Sequence, residues 1–185
     1  MKRLIIICFA FLLALPAFSA EKIDLKEKRH VVLLGNGLGS RMVHYNCFET
    51  EVYRRNIGKK LFIRNMCDEG NTPGFRPHSG RKNPFAFPGA EKFRKLSKAK
   101  DRWGSGHAGT GSFPSPDQWL KENKADVIIA FFGFNESFDG SEGLNSFKAE
   151  LKAFIKHTQS QKYNGSSAPE LALVSPASFQ DLSKT

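Results

Sequence analysis

Three short glycine- and asparagine-bearing segments each follow an apolar run that reads as a buried strand. Leu34-Gly35-Asn36-Gly37-Leu38 follows Val31–Leu34, Asn65–Thr72 follows Leu61–Arg64, and Phe132-Gly133-Phe134-Asn135-Glu136-Ser137 follows Val127–Phe132. In an open parallel sheet the carboxyl ends of neighbouring strands meet at one crevice, where backbone amides and asparagine side chains can receive an oxyanion or a carbonyl. The layout points to a ligand site and to acyl chemistry. Asn36 and Asn135 stand directly after buried strands, where a polar side chain must find a partner, either a ligand or the local backbone. Asn71, Thr72, Arg76 and Arg81 in the second segment and the loop beyond it are candidates to hold a carboxylate or a sugar hydroxyl.

The elements that must position these groups alternate between strand and helix. Val31–Leu34 and Asp126–Phe132 are apolar throughout, as strands covered on both faces should be. Leu38, Met42, Tyr45, Phe48 and Val52 recur at steps of four, three, three and four and predict one continuous helical face. Ser115-Pro116-Asp117-Gln118 carries a serine cap, a proline at the first helical position and a glutamine three residues on, which together predict a helix start. Leu144, Phe147, Leu151, Phe154 and Ile155 mark another helix, and Leu171–Val174 a fourth strand. The alternation argues for right-handed crossovers and a parallel sheet in one domain. The long Gly70–Phe113 loop should emerge at the crevice and roof it.

Composition narrows the classes. The 185 residues carry a net charge of +10 and 17 phenylalanines. Positive charge gathers between Arg81 and Arg102, with Phe85, Phe87 and Phe93 interleaved. That pattern suits a nucleic-acid strand, but a charge run is more often a solvated loop, and the expectation is no nucleic-acid partner. Lys2 and Arg3, the apolar Leu4–Leu15 and the small-residue exit Pro16–Ala20 read as a signal peptide over residues 1–20, so the protein is expected to be exported, periplasmic or extracellular, with no stable membrane anchor. Cys47 and Cys67 then remain; a disulfide between them is open, with two free, partly buried thiols the plainer reading. No His or Cys sits at ligand spacing, so neither a metal nor another cofactor is expected. Gly35-x-Gly37-x-Gly39 faintly suggests a dinucleotide turn, but Ser40 takes the sixth position and Arg64-Asn65 ends the second strand where an acidic ribose ligand would be needed.

The same residues resemble a family. The three segments look like blocks I, II and III of the SGNH, or GDSL-type, hydrolases, and Phe131–Phe138 with the Lys162–Pro176 run resembles an exported planctomycete-type branch. The resemblance covers roughly Arg29 to Phe179. It implies a flavodoxin-like three-layer α/β sandwich over residues 29–185 with strand order 2-1-3-4, and esterase activity on a small-molecule or glycan ester. Matched residue by residue, Asn36 replaces the family's aspartate, and Gly37 occupies the nucleophile position, leaving it vacant of a hydroxyl. Gly70 and Asn135 match the oxyanion-hole residues, and Glu136 stands where aspartate is common. The family's Asp-x-x-His block does not occur before Thr185, which implies that the C-terminal part of the domain is missing. Ser40 and Ser137 are the substitute nucleophiles to consider, and His78 and His107 the substitute bases. His30 and His157 read as solvated ends of elements, and His44 as a surface residue. Two functions follow: an exported hydrolase of ester bonds, or a module that keeps the fold and binds a carbohydrate or acyl ligand without chemistry.

Overall fold

The computed structural model describes residues 23–93, 109 and 111–177. The signal peptide expected over 1–20, His107 and most of the basic stretch beyond Phe93 lie outside them. Strand β1 (His30–Gly35) is central and pairs in parallel with β2 (Phe62–Asn65) on one side and β3 (Val127–Phe131) on the other, while β4 (Glu170–Val174) adds to β3. The order is β2-β1-β3-β4, the order the family resemblance implied. The β1 run Val31–Leu34 is buried on both faces, whereas the edge strand β2 alternates between exposed and half-buried residues. Central parallel strands read as unbroken apolar runs for this reason.

The helices cover the two faces unequally. On the face carrying Val32, Leu34, Ile128 and Ala130, the core takes in Leu120 of α3 (Pro116–Glu122) and Phe154 of α5 (Gly140–Ser160). On the opposite face α1 (Gly37–Arg41) comes so close that a Cβ on Gly39 would lie 2.4 Å from Cys67 Sγ and 2.9 Å from the Phe131 ring. The chain is therefore an α/β three-layer fold with a wholly parallel sheet. Right-handed crossovers produce this division, because the β1-to-β2 connection runs the opposite way across the sheet from the other two.

Helix α3 starts as its sequence dictates. Ser115 Oγ accepts from Gln118 N at 3.4 Å, and Gln118 Oε1 accepts from Ser115 N at 2.9 Å. The helix expected from Leu38 to Val52 is broken instead. It divides into α1, a 3-10 turn over Met42–His44, and α2 (Cys47–Arg55), with Asn46 at φ +50 between them. Asparagine tolerates that left-handed conformation better than most residues, and the break leaves Leu38 and Tyr45 exposed. Among its described residues the long loop, expected to roof the crevice, also supplies part of the core. Ala86, Phe87 and Ala90 enter the core beside Phe154, and bridges join Phe75 to Phe85 and Arg81 to Phe113. Phe87 is a core residue, and Phe85 and Phe93 pack half-buried against that core. Phe75 and Phe93 still border the crevice.

Candidate functional site at the strand ends

The crevice is set by how β1 ends. Gly35 has φ +138, and a Cβ there would sit 2.2 Å from Phe131 O, so the close approach of β1 and β3 at this point requires glycine. The next residue, Asn36, donates its backbone N–H to Phe131 O at 2.8 Å and turns its side chain inward, where it is 1 % exposed. Its Nδ2 donates to Asn71 O at 2.9 Å and lies 3.4 to 3.5 Å from the two oxygens of Glu136. All the surrounding partners are acceptors, which fixes the amide's orientation.

Asn71, equally buried, donates from Nδ2 to Gly35 O at 3.0 Å and Met66 O at 3.4 Å, tying the ends of β1 and β2 together. Asn135 lies in α4 (Phe134–Ser137), a one-turn helix that sequence periodicity cannot detect, and donates from Nδ2 to Glu69 O at 2.6 Å and Asn71 O at 3.1 Å. Glu136 closes the network by accepting from Gly133 N at 2.8 Å. Burial pushes its carboxyl above the ordinary carboxylate range, against the pull of the Glu136 and Gly133 N–H groups and the Asn36 amide. The structure thus brings Asn36, Asn71, Asn135 and Glu136 into one hydrogen-bonded cluster and places Gly37 and Gly70 at its margin. Arg76 belongs elsewhere, in a separate cavity with Arg81.

Acyl transfer needs an attacking group and donors free to meet the developing oxyanion. The Gly70 N–H already donates to Asp68 Oδ1 at 3.0 Å, and the Asn135 amide is held by two carbonyls. Gly37, at φ +26, faces the Phe134 ring, and a Cβ there would meet it at 3.1 to 3.2 Å. The substitute nucleophiles are engaged as well: Ser40 Oγ donates to Gly37 O at 2.9 Å and Ser137 Oγ to Phe134 O at 2.6 Å, each a local helix-turn contact. His78 stacks on Phe113 with 3.8 Å between centroids and accepts from Gly80 N through Nδ1, in the cavity with Arg76.

Two spaces flank α4. An apolar cavity of about 240 Å³ opens at the ends of β1, β3 and β4, lined by Leu38, Phe131, Phe132, Phe134, Val174 and Pro176, with Arg41 at its edge. On the other side a polar cavity of about 320 Å³ is bordered by Gly70, Thr72, Asn135, Glu136 and Glu150 among others. Glu150 Oε1 accepts from Thr72 Oγ1 and Gly74 N, both at 2.8 Å, and burial raises its pKa above the usual range.

One constellation escapes sequence reasoning. His157, expected at a solvated end, is partly buried and its Nε2 meets Asp117 Oδ2 at 2.7 Å, while Asp117 Oδ1 accepts from Tyr163 OH at 2.8 Å. These contacts fasten α3 to α5 and to the segment after it. No periodic signal announces them, since the residues are 40 and 46 positions apart.

Cys47 is exposed and Cys67 half-buried, and both are free thiols. Among the described residues no cluster of His, Cys, Asp and Glu could hold a metal ion, and no helix is long and apolar enough to cross a membrane. Comparison with family models, with curated proteins and with solved structures yields no match.

Proposed function

We propose that the chain is an exported, SGNH-like module that binds an acyl group at the strand ends without hydrolysing its ester. One observation carries this reading: among the described residues the nucleophile position holds a glycine and the Gly70 and Asn135 donors are already bonded within the protein, while the adjoining apolar cavity stays open. Gly37 offers no hydroxyl, and the Gly70 and Asn135 donors are taken by Asp68, Glu69 and Asn71. An oxyanion arriving there would have to break existing bonds, which removes the preorganisation from which such a site draws its catalytic power. The apolar cavity, about 240 Å³, suits a short or medium acyl chain, with Arg41 placed to meet a carboxylate or an ester oxygen. Where the acyl group is carried on a glycan, Thr72, Asn135 and Ser146 of the polar cavity are the side chains its hydroxyls would meet.

The test is a calorimetric titration of the protein with octanoate and with methyl octanoate. Saturable binding is expected, and Leu38→Asp should abolish it, because Leu38 lines the cavity yet is 46 % exposed and contributes little to the core. No saturable heat with either compound, or binding untouched by Leu38→Asp, would overturn the reading.

A further inference from the structure

A second site lies on the other side of Asn71. Arg76 and Arg81 are 4 % and 3 % exposed, and both line a cavity of about 90 Å³ with Asn65, Asn71, His78 and Trp119. Each guanidinium is held by backbone and aromatic groups rather than by acids. Arg76 donates from Nη2 to Pro73 O at 3.3 Å, with its guanidinium 5.3 Å from the Phe154 ring centre. Arg81 donates from Nε to Pro114 O at 2.7 Å and from Nη1 to Arg76 O, and lies 4.9 and 5.4 Å from the Phe113 and Trp119 centroids. Arg76 Nε and Arg81 Nη2 are buried and have no hydrogen-bond partner.

Such an arrangement is incomplete by itself. An arginine side chain carries five N–H donors and is charged under all ordinary conditions, and a buried charge without a counter-charge costs several kcal/mol. Among the described residues no carboxylate makes an ion pair with either guanidinium. Asp117 attracts Arg76 and Asp68 attracts Arg81 through space, without contact; Asp117 is bonded to His157 and Tyr163, and Asp68, at the cavity wall, is exposed and accepts from Gly70 N. We propose that Arg76 and Arg81 form a binding site for one small oxyanion, a carboxylate or a tetrahedral phosphate or sulfate, seated in the cavity they share. A water needs at least about 10–15 Å³ of such space, so the cavity exceeds a single water and excludes a sugar ring or a nucleotide. Planar guanidinium forks match the oxygens of both anion types and bind them through charge-assisted bonds. The site is independent of the acyl cavity, since it shares none of its lining residues.

The experiment is thermal unfolding and calorimetry of the full chain in sodium phosphate, sulfate or acetate, with ionic strength held constant by sodium chloride. A saturable rise in Tm is expected with at least one of the three anions. Preference for acetate identifies a carboxylate as the ligand, and preference for phosphate or sulfate a tetrahedral anion. Arg76→Met removes the buried charge while keeping the side-chain length and should abolish the response. Arg81→Lys keeps the charge, loses the fork, and should weaken binding by at least about tenfold. If Arg76→Met does not fold, Arg81→Lys decides alone. Absence of any anion-specific rise in the unaltered protein, or an equal rise in the folded variants, overturns the proposal and leaves the cavity to water.

Discussion

Replacing Asn36 by aspartate would introduce the residue type that the resemblance to SGNH hydrolases implies here, and the structure says the result is harmful. The change is isosteric, so no cavity forms and the effect is purely one of hydrogen bonding and charge. Asn36 Nδ2 now donates to Asn71 O at 2.9 Å and faces the Glu136 carboxyl at 3.4 to 3.5 Å. An aspartate would instead present an oxygen to a carbonyl and to a second carboxyl, in a position 1 % exposed. An uncompensated buried charge of this kind costs about 3–5 kcal/mol, and a domain of this size loses about 2–4 °C in Tm per kcal/mol. The expected penalty at pH 7 is therefore about 6–20 °C. Both carboxyls would have folded-state pKa values above their unfolded ones, so the penalty is full above the folded values and fades as pH falls through them. The assay is urea unfolding of both proteins at pH 7 and at about pH 4.5, comparing their difference at each. A loss below about 1 kcal/mol at pH 7, or a difference that does not shrink on acidification, would refute the network as described.

Gly37→Ser should fold, with the Phe134 ring shifting slightly, and show no ester turnover above buffer, because the Gly70 and Asn135 donors beside the new hydroxyl stay bonded to Asp68, Glu69 and Asn71. Cys67, whose thiol is pushed up to about 12 by burial, should react slowly with a thiol reagent at pH 8 while the exposed Cys47 reacts at once, so that a folded chain lacking residues 1–20, and with them Cys8, shows one fast thiol. Glu150 is held above its usual pKa by burial, so it takes up protons on folding and its contribution to stability declines as pH rises from its unfolded value through its folded one. Glu150→Gln keeps an oxygen for Thr72 and Gly74 and should flatten the decline, read as a smaller loss of urea midpoint between pH 4.5 and pH 7. Asp117→Ala should cost about 1–2 kcal/mol by releasing both His157 and Tyr163, and a double-mutant cycle with Tyr163→Phe should show the two positions coupled.

What could be read from the residues was what local physics decides. The four strands stand within a residue of their expected bounds because short apolar runs followed by glycine, asparagine or proline have few other structures open to them. The Ser115 box formed as written, since all its partners lie within four residues. Strand order, by contrast, came from the family resemblance and not from any pattern in the chain. The helix expected from Leu38 to Val52 failed because apolar spacing does not register a left-handed residue at Asn46. At the site, Asn36, Asn71, Asn135 and Glu136 were all picked out, with Asn36 and Asn135 left open between a ligand and the local backbone. The three asparagine amides donate to Asn71 O, Gly35 O and Glu69 O, carbonyls of strand ends and loop backbone that only tertiary structure brings near. Arg81 read either as a ligand-holding residue or as part of a solvated charge run, and it is buried against Phe113 and Trp119. Composition counts charges but does not say which of them the fold turns inward.

The claim that the strand-end site binds without chemistry is tested most directly by mixing the protein, at stoichiometric concentration, with p-nitrophenyl octanoate. The account predicts a saturable change in intrinsic fluorescence as the ester binds, with nitrophenolate released no faster than in buffer. A nitrophenolate burst, or steady turnover that disappears in Asn135→Ala, would contradict it and restore the hydrolase.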